Sequence, residues 1–182
     1  MKQMIDRACF KHKGNAEHYC DEVFLSESPC FVAAVFCGKE EYINSLSCSF
    51  VLSEILKDSS AEDKLEDICL SLEEKIPEDV EYLILRIDQS LMVDSFKRGQ
   101  VRAFIVNNGE MMILPNGIYG LKEGDMLLLA VRNFYSNLTN EGMLSDALIS
   151  SDCNEWMDYL VRRVSDKTEL LCGNLSAVCI RV

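Results

Sequence analysis

The chain has 182 residues, of which 48% are hydrophobic and 26% charged, a balance typical of a globular protein rather than a disordered one. Its 30 acidic residues outnumber the 18 basic ones and give a formal net charge of -12, which disfavours nucleic acids and anionic membrane surfaces as partners. The length fits a single domain over residues 1–182, and no apolar run is long enough for a membrane span or a secretory signal, so we expect a cytoplasmic protein.

The first part of the chain carries patterns for three strands and two helices. Strands are predicted at residues 3–10, 23–25 and 30–36, and the last of these has no polar alternation, so both of its faces should be covered. A first helix is predicted at residues 42–57, and its core-facing side chains should be Leu46, Phe50, Val51 and Ile55. A second helix should begin in the capping-box-like segment at residues 60–63, with Leu65, Ile68, Cys69 and Leu72 on its buried stripe.

The middle of the chain has a hydrophobic period close to two. Strands are predicted at residues 82–87, 90–96, 101–106 and 111–114, and the Asn108-Gly109 pair is a strong hairpin signal. A buried strand at 126–131, helices at 139–149 and 156–165, and an alternating strand at 175–182 complete the order. Because strands and helices alternate in blocks, we predict an α+β fold with antiparallel sheets and helices layered outside them.

The nine cysteines do not form a disulfide framework pattern. Their number is odd, no C-x-x-C occurs, and several lie inside apolar runs, which is typical of free thiols in a reducing compartment. A zinc site could be assembled from His12, His18 and Cys20, but these spacings match no closed structural site.

Five stretches, in order along the chain, resemble the motifs of one family. Residues 173–182, GNLSAVCIRV, match D-N-[IL]-[ST]-x-x-x-[VI]-R-[VIL] after the first residue, and residues 124–134 resemble G-D-x-L-L-L-x-S-D-G-[LF]. Residues 99–105 resemble G-D-S-R-x-Y-L, residues 31–40 a strand that ends in D-G-x-G, and residues 20–24 the preceding N-E-D-x-[FL] strand. The chain is therefore similar to the metal-dependent protein phosphatases of the 2C type (PP2C), including compact bacterial members related to the stage II sporulation phosphatase.

The resemblance implies a four-layer α-β-β-α sandwich of two antiparallel sheets and an ancestral Ser/Thr phosphatase activity. It also implies two Mg²⁺ or Mn²⁺ ions, which need oxygen ligands and are held in the family by carboxylates at strand ends. Asp21 keeps one of those aspartate positions, and Ala16 stands where many members have a phosphate-binding arginine. The other cleft positions that match the motifs are Cys37, Gly38, Gln100, Arg132, Asn133, Gly173 and Asn174. Since four of these stand at aspartate positions without being acids, we expect no metal cofactor and no catalytic residue.

Two functions stay open at this stage. The first is a pseudophosphatase, a regulatory module that binds a protein such as a phosphoprotein or a kinase without turning it over. The second is an active phosphatase with an altered metal site, in which Glu40, Glu41 or Asp125 replaces a missing ligand.

Two side chains of the cleft carry further predictions. Cys37 is a poor candidate nucleophile, because its apolar neighbours raise a thiol pKa. The replacement of an acid by Arg132 predicts an ion pair in the cleft with Asp21 or with a carboxylate beside it.

Overall fold

The computed structural model describes residues 5–28, 30–38, 45–60 and 62–182. The strands in these ranges are β1 (Asp6–His12), β2 (Asp21–Ser26), β3 (Phe31–Cys37), β4 (Glu81–Ile87), β5 (Met92–Arg98), β6 (Arg102–Asn107), β7 (Glu110–Ile113), β8 (Gly117–Gly120), β9 (Met126–Ala130) and β10 (Leu175–Arg181). The helices are α1 (Ser45–Asp58), α2 (Leu65–Glu73), α3 (Arg132–Tyr135), α4 (Asn140–Ile149) and α5 (Cys153–Thr168).

The strands form two five-stranded sheets, in which every neighbouring pair is antiparallel. Sheet A has the order β1-β10-β9-β6-β7, and sheet B has the order β2-β3-β4-β5-β8. The run of four strands predicted in the middle of the chain is divided between the sheets, because the chain crosses from β5 in sheet B to β6 in sheet A. The predicted α-β-β-α sandwich is confirmed.

The central strand β3 shows why both faces of sheet B are apolar. Its Ala33 and Val35 belong to the core between the sheets, together with residues of β9 and β10. Its alternate residues Val32, Ala34 and Phe36 belong to a second core, which α1 and α2 cover. A strand in this position buries both of its faces, and this explains the uninterrupted apolar run seen in the sequence.

On the other side, α4 and α5 pack outside sheet A. Trp156 of α5 is fully buried, and its indole N–H donates a hydrogen bond of 3.2 Å to the carbonyl of Met143 in α4. The N-caps of both helices are made by side chains, Thr139 for α4 and Asp152 for α5. Side-chain oxygens at these positions satisfy backbone N–H groups that have no partner within the helix.

Three predictions about the first two helices need correction or lie outside the described residues. Phe50 is 66% exposed, because the buried face of α1 is built from Cys48, Leu52 and Leu56, four residues apart. The beginning of the predicted first helix and the side chain of Leu46 lie outside the described residues. α2 begins at Leu65 rather than near residue 60, and its four predicted core residues are buried as expected.

The strand ends differ from the predictions by at most two residues, except that the first strand was predicted from residue 3 and β1 begins at Asp6, and two short elements were missed. β8 has glycine at both ends and forms the edge of sheet B, and α3 follows β9 directly. The Asn108-Gly109 hairpin between β6 and β7 is confirmed, with φ of 51° and 76°. Within the described ranges, no helix is both long and apolar enough to cross a membrane.

Candidate functional site

The two sheets bring the positions singled out from the sequence to one end of the sandwich. In the strand registers, Asp21 lies opposite Cys37, Cys37 opposite Glu81, and Arg102 opposite Ala130. Asp21, Glu81 and Arg102 begin β2, β4 and β6, whereas Cys37 and Ala130 end β3 and β9. We call this region the strand-end site, and it comprises Tyr19, Asp21, Cys37, Gly38, Glu81, Gln100, Arg102, Arg132, Asn133, Gly173, Asn174 and Ser176.

A chain of hydroxyl groups connects the two sheets at the strand-end site. The Ser176 hydroxyl, on β10 of sheet A, donates to Asp21 Oδ2, on β2 of sheet B, at 2.9 Å. The Tyr19 and Ser176 hydroxyl oxygens are 2.7 Å apart. Because Ser176 has a single proton and gives it to Asp21, Tyr19 is the donor in that second bond. Sequence reasoning assigned no role to either hydroxyl, although Ser176 occupies the [ST] position of the last family motif.

Asp21 is buried and incompletely satisfied. It is 2% exposed, and its Oδ1 has no hydrogen-bond partner among the described residues. Burial raises the pKa of Asp21 to about 6, although the Ser176 hydrogen bond and the Cys37 thiol act to lower it. Burial and the neighbouring Asp21 also raise the pKa of Cys37, so this thiol carries no thiolate at neutral pH and is unsuited to nucleophilic attack.

The loop after β1 packs closely against the segment before β10. A Cβ on Gly14 would lie 1.9 Å from the carbonyl oxygen of Gly173, so this approach requires glycine. The Gly173 N–H donates to Asn15 Oδ1 at 2.7 Å, and the Cys20 N–H donates to Asn174 Oδ1 at 3.2 Å. Backbone and amide contacts therefore hold the segment that aligns with the aspartate of the last family motif.

Gly173 is itself poorly suited to an aspartate side chain. Its φ is +80°, and a Cβ there would lie 2.9 Å from Nδ2 of Asn133. The same Nδ2 donates to the carbonyl of Asn174 at 3.2 Å. An acid at this position would need both a rare backbone conformation and a displacement of Asn133.

Gln100 is held through its backbone. Its N–H donates to Glu81 Oε2 and its carbonyl accepts from the Tyr135 hydroxyl, both at 2.7 Å. Tyr135 in turn lies under the guanidinium of Arg102, whose Cζ is 4.9 Å from the ring centroid. Glu81 and Arg102 are members of the site for which sequence reasoning gave no role.

The predicted ion pair between Arg132 and Asp21 is wrong. Arg132 begins α3 with an exposed side chain, and it makes no ion pair with any acid in the described ranges. Asp21 is buried and already bonded to Ser176, so a long exposed side chain has no access to it. Glu40 and Glu41, the other acids considered near the cleft, lie outside the described residues.

Asp125 is not part of the strand-end site. It precedes β9 at the opposite end of the sandwich, where its Oδ2 accepts from Asn107 Nδ2 and from the Lys122 N–H, both at 2.8 Å. Asp125 therefore organises a turn and cannot replace a ligand at the strand-end site. The zinc site considered for His12, His18 and Cys20 also gains no support, since Nδ1 of His12 already accepts the Gly14 N–H at 2.9 Å.

The donors that the described residues offer at the site do not suit a pair of hard divalent cations. Each such ion takes about six oxygen ligands, usually with several carboxylates among them. Besides Asp21, the described side-chain donors at the strand-end site are a thiol, two hydroxyls, amides and one carboxylate, Glu81, which accepts the Gln100 N–H. Across the described residues, no cluster of three or more His, Cys, Asp or Glu side chains is arranged to hold a metal ion.

Several solved structures of phosphatases, one of them a PP2C phosphatase domain, have the same architecture. The photosystem II phosphatase PBCP matches with a TM-score of 0.81 and 13% identity, over 98% of this chain and 99% of that one. The Mycobacterium tuberculosis serine/threonine phosphatase PstP/Ppp matches with a TM-score of 0.78 and 11% identity, over 98% of each chain. The structure of the PP2C phosphatase domain and a regulatory-domain fragment of SpoIIE from Bacillus subtilis matches with a TM-score of 0.78 and 15% identity, over 98% of this chain and 63% of that one.

The chain therefore has the PP2C-type phosphatase fold along almost its whole length, as the ordered motifs predicted. No protein-family model matches the sequence, and no curated protein matches it significantly. At identities of 11% to 15% the structural likeness defines the fold and leaves the chemistry to be argued from the residues of this chain.

Proposed function

We propose that this protein is a pseudophosphatase, a PP2C-fold module that binds a protein partner in Ser/Thr phosphorylation signalling without hydrolysing it. The observation that carries the proposal is the composition of the strand-end site. Asp21 is the single acid among the family's aspartate positions, with Cys37, Gln100, Arg132 and Gly173 at the others.

The contacts around these positions support a site that does not depend on metal ions. The Tyr19–Ser176–Asp21 hydroxyl chain links the two sheets, and the Asn133–Asn174 contacts fix the segment at Gly173. These hydrogen bonds involve one carboxylate with hydroxyl and amide partners, and they stabilise the strand ends without the compensating cations that a carboxylate cluster needs.

The class of partner follows from the fold and the charge. A net charge of -12 disfavours nucleic acid, and the fold is that of proteins that act on phosphorylated serine or threonine. A phosphoprotein or a kinase, met in the cytoplasm, is the partner that we propose.

Hydrolysis of para-nitrophenyl phosphate with Mn²⁺ and metal binding by calorimetry test the proposal together. We expect turnover at the background rate and no binding heat, with a metal-dependent PP2C phosphatase as the positive control. Manganese-dependent turnover by the wild type that Asp21→Asn abolishes would contradict the proposal. If turnover were also lost in the double variant Glu40→Gln/Glu41→Gln, the alternative of an altered metal site would be favoured instead.

A further inference from the structure

We propose that the open edge of β7 binds an extended segment of a partner protein as a further strand of sheet A, and that this segment combines apolar side chains with lysine or arginine. The surface comprises Met111, Met112 and Ile113 of β7 with Leu148 and Ile149 of α4, and we call it the β7 edge surface. This inference rests on the proposed function, a module that binds another protein, and specifies where and through what chemistry the partner is held.

The backbone of β7 is open on one side. Among the described strands, β7 has β6 as its sole neighbour. The Leu114 N–H donates to the carbonyl of Ala103 at 2.9 Å, so these opposite residues form a hydrogen-bonded pair of the ladder. Because hydrogen-bonded and non-hydrogen-bonded pairs alternate in an antiparallel ladder, Met112 is also bonded to β6, whereas the N–H and C=O groups of Met111 and Ile113 point away from it. An incoming strand can pair with these outward groups.

Exposed apolar side chains flank this open edge. Met112 and Ile113 are exposed on β7, and Leu148 and Ile149 are exposed in the last turn of α4, which packs against β7. Single apolar residues on a protein surface are ordinary, whereas four of them on two adjacent elements mark an interaction surface. A strand added beside β7 would bury its own apolar side chains against them, and would thereby gain affinity beyond that of its backbone hydrogen bonds.

The other edges of the two sheets are less suited to strand addition. At the opposite side of the sandwich, Arg7 and Lys11 of β1 form ion pairs with Glu27 and Glu22, which belong to β2 and the turn after it. Charged side chains, lysine above all, protect an edge strand from pairing with another chain. β8 has glycine at both ends and offers little side-chain surface. β7, with the sequence EMMI, carries neither a cation nor a proline, and it is therefore the edge most open to pairing.

Charge favours a basic partner segment over a second copy of this chain. Residues 103–121 and 133–161, which contain β7 and α4, have no lysine or arginine. They place exposed acids, Glu110 and Glu141, in the first turns or positions of β7 and α4. A second copy would bring the same acids and a further net charge of -12 to the contact, whereas lysine or arginine in a partner segment would complement them.

Fluorescence anisotropy of the whole chain with labelled pools of short peptides tests the inference. In the basic pool isoleucine, valine or leucine alternates with lysine or arginine, and in the acidic pool the same apolar residues alternate with aspartate or glutamate. The variant is Ile113→Pro, which removes an outward N–H without breaking a bond to β6. The matched control is Ile118→Pro on β8, where the hydrogen bond from the Leu121 N–H to the carbonyl of Leu91 likewise places the Ile118 N–H on the outer side.

We expect the basic pool to bind the wild type about tenfold more tightly than the acidic pool. Ile113→Pro should weaken that binding by about fivefold or more, because a donor of the new ladder is lost and the proline ring obstructs the edge. Ile118→Pro should change the affinity by less than about twofold. In the wild type, hydrogen exchange of the Ile113 amide should slow when the basic pool binds, and this measurement decides the question even if a proline variant does not fold.

Equal affinities of the two proline variants for the basic pool, or an Ile113 amide whose exchange the pool does not slow, would overturn this inference. Tighter binding of the acidic pool would overturn the assignment of a basic segment. Wild-type dimers in sedimentation that Ile113→Pro dissociates would assign the edge to a second copy instead. Each of these results leaves the proposed function standing, whereas manganese-dependent turnover of para-nitrophenyl phosphate would overturn the proposed function itself.

Discussion

At the scale of single residues, Asp21 shows how burial changes the behaviour of an ionisable group. The Ser176 hydroxyl satisfies one carboxylate oxygen, and Oδ1 has no partner among the described residues. Burial then favours the neutral form, which explains a pKa of about 6. Protonated Asp21 is a stable part of the folded protein at mildly acidic pH.

Asp21→Asn should therefore change how stability depends on pH. The folded state keeps the Asp21 proton up to about pH 6, whereas the unfolded chain releases it near the ordinary value of 3.8. Between these two pH values the folded state binds more protons than the unfolded state. The stabilisation of the folded state by protonated Asp21 is therefore fully present below pH 3.8 and is lost as the pH rises to about 6. At about pH 7.5 the asparagine variant should be more stable than the wild type by up to about 3 kcal/mol.

Urea unfolding from about pH 4 to pH 7.5 measures this difference. Asp158→Asn, at an exposed position on α5, is the matched control and should leave the pH slope unchanged. Parallel stability curves for the wild type and Asp21→Asn over this range would show that folding does not raise the pKa of Asp21.

At the scale of elements, a paired charge fixes α4 to α5. Asp146 on α4 is 3% exposed, and Arg163 on α5 donates to its two oxygens at 2.5 and 2.8 Å. Exposed ion pairs contribute little to stability. This pair differs because one partner is a buried carboxylate with bidentate contacts.

Arg163→Gln should destabilise the protein by about 1–3 kcal/mol, because it leaves the Asp146 carboxylate buried without its counter-charge. Its neighbour Arg162 is exposed and makes no ion pair with a described acid, so Arg162→Gln should change stability by less than about 0.5 kcal/mol. Thermal unfolding of the two variants side by side measures the contrast. Similar losses of stability in both variants would mean that the Asp146–Arg163 pair contributes no more than an ordinary surface contact.

At the scale of the whole molecule, all nine cysteines are free, and Cys9 is the exposed one. Burial raises the pKa of the Cys48 thiol to about 11 and that of Cys69 to about 12, which removes their reactive thiolate forms. A thiol reagent such as Ellman's reagent should therefore label Cys9 in a fast phase in the native protein, and nine thiols after unfolding without reductant. Cys9→Ser should remove the fast phase, and fewer than nine thiols in denaturant would reveal a disulfide.

Sequence patterns predicted an α+β fold with antiparallel sheets because its strongest signals are local, and the family resemblance implied the sandwich. The apolar run of β3, the Asn108-Gly109 turn and the stripe on α2 each report burial or backbone geometry directly. Phe50 was misplaced because a helix with apolar residues on several sides does not define its own buried face. β8 was missed because four residues with glycine at each end carry too little pattern.

The strand-end site was predicted by position, while its contacts were not. Motif order placed Asp21, Arg132 and Gly173 at one end, which the strand registers reproduce. The hydroxyl chain through Ser176 and the stacking of Arg102 on Tyr135 join residues far apart in sequence, so no local pattern announces them.

The pairing of β1 with β10 also affects how the molecule is made. β1 has β10 as its sole neighbour in sheet A, and Asp6 lies opposite Arg181 in the register. During synthesis on a ribosome, β1 must wait unpaired until β10 has emerged, and closing so long a loop slows folding. Since β10 also supplies Ser176, the strand-end site cannot be assembled before β10 has been synthesised and paired.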